Sequence, residues 1–326
     1  MIGLDGTNSH YVREGETVMQ MVIDESSRRA RALRQAIEPL AGHVYFAPEC
    51  HAAYERLGFA PPGTLGNVAT PDAAAYFTSR GAAMGQVHGP VVAAAFAVFE
   101  PGVVEAGVEY GWRLTDAATI SAARTAGAIA HLERVLGPCP AGTERVTALL
   151  TRALEPLRSE GRPLFAGLRA LDLPDSAIGR AWRLADCVRE YRGDSHTAAW
   201  NAAGYDAAEI GLVGELARGL PARTYVRSRG WTTEQLDAAQ ERLRSRGHVD
   251  GRGLTAKGTW AREAVEVATD QQSRGAIAAL GDDLDELIGL LEPWSAALML
   301  ASYPALTIAE RCDAARIVNY PKEVSR

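Results

Sequence analysis

The chain has 326 residues, 47% hydrophobic and 23% charged, with a formal net charge of −6. That size and balance suit a folded protein with a real core and argue against a disordered chain or a general attraction to nucleic acid. The most apolar stretch, Val91–Phe99, is far shorter than the ~20 residues needed to span a bilayer, so no membrane partner is expected. Cys50, Cys139, Cys187 and Cys312 are scattered with no CxxC pair, so neither a zinc site nor a disulfide framework is implied. No secretory leader is visible, and a reducing cytoplasm is the expected setting.

Residues 1–25 are aperiodic and read as an irregular arm. A helix is expected over 26–40, where Ala30, Leu33, Ile37 and Leu40 recur at helical spacing, and a second over 45–58. Glu38 reads as solvent-facing. Ala60–Asn67, with two prolines and two glycines, reads as a loop. Further helices follow from Pro71, over 86–99, from Pro101 and over 116–136. The Gly137–Gly142 segment is a linker, dividing a first half (26–140) from a second (141–295), with 296–326 as a tail holding one more helix near 307–317. In the second half, helices are expected over 143–157, 163–172, 175–191, 195–203 and 206–218. Thr232 and Gln235 then make a capping box, opening a helix whose inner face is Leu236, Ala239 and Leu243. His248–Leu254 has room for a short β-hairpin, Thr255 caps the next helix, and 273–292 reads as one amphipathic helix.

Helix, Arg246-Gly247, short hairpin, Leu254-Thr255-Ala256-Lys257-Gly258, helix: over about 60 residues this resembles the winged helix of MarR-type regulators. Most of the chain is also similar to an actinobacterial helix-turn-helix family of SCO type, on Arg192-Gly193-Asp194-Ser195-His196 and Arg229-Gly230-Trp231. That likeness implies a fold and no particular activity. The chain also repeats itself weakly. Ala36–Leu40 recurs as Ala153–Leu157, Tyr45–Ala47 as Leu164–Ala166, Gly85–His88 as Gly193–His196, and Gly111-Trp112 as Gly230-Trp231. Because MarR-type proteins are two-fold dimers, the resemblance implies a mainly α fold of two winged-helix-like halves in one pseudo-symmetric chain, monomeric or homodimeric. Only the second half keeps a hairpin wing.

A winged helix that reads DNA needs a basic recognition helix. Here Glu234, Asp237 and Glu241 share a face at spacings of 3 and 4, while Arg242, Arg244 and Arg246 fall at the helix's C-terminal end. A MarR-type DNA-binding regulator is therefore the alternative expectation. The leading one is a small-molecule-binding protein, of the kind used in bacterial specialised metabolism, with its ligand between the halves.

The segment Val188–Trp200 puts charge into an alanine-rich helical region, where charged groups need partners. Gly193 is expected to break the helix there. Two readings follow. In one, Asp194 is an N-cap paired with Arg192, and His196 packs in the first turn. In the other, Arg192, Asp194 and His196 point into a cavity, with Asp194 and His196 as an acid–base pair, Ser195 beside them, and Arg192 and Arg80 holding an anionic group. Tyr76 and Trp200 are candidate pocket aromatics. His88 is the first-half counterpart of His196, and a second alternative has the two binding haem or a metal jointly. No Walker loop, GxGxxG, HExxH or GxSxG occurs, so no cofactor is named by a motif.

Overall fold

Capping side chains mark where the helices begin. The computed structural model describes residues 23–65 and 68–302, with 10–14 and 17–21 as backbone strands. Asp24 accepts from Ser27 N at 2.7 Å and opens α1 (Glu25–Gly42). After α2 (Pro48–Arg56), Asp72 accepts from Ala75 N at 2.9 Å and opens α3 (Ala73–Gly81). Proline near the N-terminus starts both α4 (Gly89–Phe96) and α5 (Pro101–Leu114). Asp116 caps α6 (Ala117–Leu136), and α7 (Thr143–Leu154) and α8 (Pro163–Ala170) follow. Ser176 caps α9, which runs from Ala177 to Ala202.

The helix-turn-helix unit then begins. Asp206 and Glu209 form a capping box on α10 (Ala207–Ala217), and a 3₁₀ turn (Val226–Arg229) leads into α11 (Thr233–Ser245), capped by the expected Thr232/Gln235 box. The wing pairs Val249 with Leu254 and Asp250 with Gly253, and α12 (Ala256–Gln272) closes the unit. Gly258 is required there, because a Cβ on it would lie 2.0 Å from His248 O.

Three apolar cores result. The largest joins α1, α2, α6, α7, α9 and the C-terminal helices around the buried Trp182, Phe165 and Leu150. A second fills the helix-turn-helix unit with Trp200, Tyr205, Leu236 and Leu243. The third is an aromatic cluster of Phe77, Phe96 and Phe99 under α3, α4 and α5. Helix α9 connects two of them: Trp182 to Tyr191 sit in the first and Ala199 and Trp200 in the second. The architecture is mainly α with short hairpins, and among the described residues no helix is long and apolar enough to cross a membrane.

Four expectations are corrected. The stretch read as an irregular arm contains a two-stranded antiparallel hairpin, β1 (His10–Glu14) with β2 (Thr17–Met21). The loop expected at 60–67 contributes to another, β3 (Gly63–Leu65) with β4 (Val68–Thr70). Gly193 does not break α9, since helical neighbours on both sides outweigh the modest helix cost of one glycine. The segment 273–292 is instead two helices, α13 (Arg274–Leu280) and α14 (Asp283–Ser302), broken where Gly281 adopts a φ of +54°. The helix expected near 307–317 lies outside the described residues.

The turn of the helix-turn-helix unit hangs on one buried carboxylate. Glu215 accepts from Tyr225 N at 2.9 Å, Val226 N at 3.0 Å and the amide of Arg223. Glu215→Ala leaves those amides without this acceptor. It is expected to cost about 2–3 kcal/mol by denaturant unfolding, with faster amide hydrogen exchange across 221–230. Unchanged exchange there would contradict this role.

Candidate functional site

A cavity of about 330 Å³ lies where α9 passes between the helical body and the helix-turn-helix unit. This is within the size range of small-molecule sites. Leu33 and Ile37 of α1, Val188 and Tyr191 of α9, Ile210 of α10 and Val265 of α12 form its apolar lining. Its polar lining is unbalanced. Arg34, Arg80, Arg189, Arg192, Arg218, Arg229 and Arg262 face it against Glu38, Glu190 and Glu266, seven cations to three anions.

Glu190 is the best-satisfied of these anions. Arg80 holds it through Nε and Nη2 at 2.9 and 2.7 Å, and Arg189 Nη1 donates at 2.9 Å. Burial alone pushes its carboxyl up, but the Arg80 and Arg189 charges override that and hold it at about 2. Glu266 is held likewise: burial is overridden by Arg262 and Arg192, and its carboxyl also sits at about 2. Arg189 reaches Glu38 at 3.2 Å, so Glu38 turns toward the cavity rather than simply facing solvent. Arg34, Arg218 and Arg229 have no ion pair among the described residues. At Arg34, burial followed by the nearby Arg192 charge pushes the guanidinium below the ordinary value, against the weaker pull of Glu266 and Glu38.

His196 lines the same space. The Thr269 hydroxyl donates to Val265 O at 2.8 Å, so it can only accept from His196 Nδ1, 3.1 Å away. That fixes the proton on Nδ1 and leaves Nε2 as an acceptor, with no partner among the described residues. Burial, only partly offset by Glu266, lowers the imidazole to about 4, so the ring is neutral at pH 7.

The sequence-derived candidates separate on this geometry. Arg80, Arg192 and His196 come together at the cavity. Asp194 does not join them; its Oδ2 accepts from Phe165 N at 3.0 Å, on the side of α8. The Asp194–His196 acid–base pair is therefore not assembled, because residues two apart on a continuous helix point in opposite directions. Asp194 is also not an N-cap, since it lies mid-helix. The buried Ser195 accepts from Arg162 Nε at 3.1 Å. Tyr76 packs among the aromatics of α3 to α5, and Trp200 belongs to the helix-turn-helix core. His88 is exposed before α4 and does not line the cavity, so the two histidines do not share it. Sequence reasoning missed Arg34, Glu38, Arg218, Arg229, Arg262 and Glu266. Arg34 carried a signal, standing four residues after Ala30 and three before Ile37, on the edge of the apolar stripe of α1.

A second polar chain was also unforeseen. Ser302 Oγ, His131 and Glu49 form a serine–histidine–carboxylate relay at 2.7 and 2.8 Å. His131 is fully buried and Ser302 nearly so, and none of the three lines the cavity. The relay ties α2, α6 and α14 together.

The exposed face of α11 carries Glu234, Asp237 and Glu241, as expected. Its arginines are engaged internally: Arg242 with Asp206 and Glu209, Arg244 with Glu241, and Arg246 with Glu209 and the Ala203 and Gly204 carbonyls.

Fold and site thus define a helix-turn-helix protein with an arginine-rich internal cavity. A helix-turn-helix family model matches residues 30–304, and the chain belongs to that family. No curated protein and no solved structure matches it.

Glu190→Gln removes the charge between two poorly exposed guanidiniums and is expected to cost about 3–5 kcal/mol of stability by denaturant titration; a loss below 1 kcal/mol would contradict the assigned role. Asp194 gives a prediction of opposite character. Burial raises its carboxyl from 3.8 to about 7 against the pull of the Phe165 amide. Its contribution to stability is thus full below the unfolded value and lost as pH rises through about 7. Asp194→Asn keeps an acceptor without the charge. Urea unfolding at pH 5 and pH 8 should show the variant gaining on the parent chain as pH rises, and a constant difference would refute this.

Proposed function

We propose that this protein binds a small anionic molecule in the cavity between the helical body and the helix-turn-helix unit. The excess of guanidinium groups facing that space carries the reading, with Arg34, Arg218 and Arg229 making no ion pair among the described residues. Charged groups in low-polarity surroundings are stable when matched, and a carboxylate or phosphate on the ligand would supply the match with two-point geometry. The apolar walls suit the ligand's remaining body, and the free Nε2 of His196 suits a hydroxyl or N–H donor on it. Binding and sensing are favoured over catalysis by Asp194 and His196, whose side chains diverge. A MarR-like duplicated scaffold remains part of the proposal. In its support, Gly111-Trp112 and Gly230-Trp231 both precede capped helices, and both indoles donate to backbone carbonyls, of Val87 at 2.7 Å and Val98 at 3.1 Å.

Gly214 of α10 offers a clean test, since it lines the cavity and a Cβ there meets nothing within 4 Å. Native mass spectrometry of the purified chain should reveal a retained small-molecule mass. Benzoate and phenyl phosphate serve as anionic probes in thermal shift assays. A saturable rise in Tm is expected for the parent chain and is expected to vanish in Gly214→Phe and Arg34→Met. The absence of both retained mass and shift, or a shift that survives both substitutions, sinks the proposal.

The family membership favours a second reading, a DNA-binding regulator. The acidic face of α11 and its internally paired arginines weigh against strong phosphate contacts. A salt-dependent gel shift with genomic fragments at low ionic strength separates the two, since a regulator retards DNA there.

A further inference from the structure

Behind the main cavity, on the far side of the Arg80–Glu190 pair, lies a pocket of about 10 Å³. That volume is close to the space one water-sized particle needs. Arg80, Arg124 and Arg183 line it together with Glu190, Ser79 and Ser121. The charges do not balance. Glu190 is taken by Arg80 and Arg189. The fully buried Asp186 lies 2.9 Å from Arg124. Arg183 makes no ion pair among the described residues, although it is only 3% exposed; Asp186 attracts it from a distance, and the two buried cations Arg124 and Arg183 share that one carboxylate.

The hydrogen bonds of Arg183 show the same deficit. Its Nη2 donates to Thr125 Oγ1 at 2.8 Å, while Nε and Nη1 have no partner among the described residues. Arg124 Nε is likewise without a hydrogen-bond partner among the described residues. Burial and the neighbouring Arg124 push the Arg183 guanidinium below its ordinary value. Both guanidiniums lie over the Trp182 ring, at 5.2 and 5.1 Å from its centroid, which gives a cation some compensation but no counter-charge.

We propose that this pocket is a binding site for a single monatomic anion, a halide, held by Arg183 and Arg124 with the Ser121 hydroxyl. A neutral water would satisfy a donor and leave the charge. A halide does both, and the pocket is too small for a carboxylate with its two oxygens and carbon. The site opens toward solvent along an alanine-lined groove that shares Ala83, Ser121, Leu171 and Arg183 with it, and this supplies an entry path. The ion would neutralise the centre of α9, where Arg183, Asp186 and Glu190 follow one another along the helix.

Crystals of the full chain grown or soaked in sodium bromide test this directly. The expected result is one anomalous peak between Arg183 and Arg124. In solution, Tm should rise saturably by about 2–4 °C on replacing sodium gluconate with sodium bromide at constant ionic strength. Arg183→Met removes the unmatched cation. It should abolish the bromide increment and leave Tm in gluconate equal to or above that of the parent chain. No anomalous density in the pocket, or an equal bromide increment in Arg183→Met, overturns the proposal.

Discussion

The carboxylate of Glu190 is the constraint around which the interior is arranged. It is almost fully buried in the middle of the longest helix, and it stays ionised because Arg80 from α3 and Arg189 from its own helix both contact it. A lone buried carboxylate would protonate or destabilise the fold. The pairing therefore makes α3 a permanent neighbour of α9 and fixes the rotation of α9 about its axis. Once that rotation is set, Arg189, Arg192 and His196, at spacings of 3 and 4, share the face turned to the cavity. Asp194 is carried round toward α8. The chemistry available to the site follows from this one pairing as much as from the residues themselves.

The same logic explains where the positive charge of the chain has gone. In a helix-turn-helix unit that grips phosphate, arginines stay free on the outer surface. In this unit the outer arginines of α11 are spent on Asp206, Glu209, Glu241 and backbone carbonyls. The arginines that lack full compensation are inside, on α1, α6 and α9. A surface ion pair contributes little and is readily exchanged for water. An internal guanidinium without a partner is costly, and that cost is what the proposed anion would relieve.

Much of the fold was legible in the sequence because its helices start on side chains that announce themselves. The Thr232/Gln235 box, the proline at 101 and the wing between His248 and Leu254 are local signals, and local hydrogen bonding decides them. The failures have a common cause. Gly193 looked like a helix end because propensity favours one, yet packing on both sides carries α9 through it. That single difference turned an expected Asp194–His196 pair into two residues with unrelated partners. The 63–70 hairpin and the Ser302–His131–Glu49 relay depend on tertiary approach, the relay across 82 and 171 positions of chain. Arg34 was half legible, as a charge on the rim of an apolar stripe, but nothing local says that Arg192 would stand beside it.

The cavity wall and the turn of the helix-turn-helix unit are made of the same pieces. Ile210, Gly211 and Gly214 of α10 line the space, as do Tyr225, Val226 and Arg229. Glu215, one residue beyond Gly214, holds the amides of Tyr225 and Val226, and Arg223 reaches across to Asp237 of α11 at 2.5 Å. A molecule seated against this wall touches the segments that set the angle of α11. It can shift that angle only by binding one arrangement more tightly than another. The side chains placed to make that difference are Arg218 and Arg229, which line the cavity from the helix-turn-helix unit, with Arg34 and Arg192 lining it from the body. On the proposed reading, an anion bridging the two sets would favour the arrangement that brings them together.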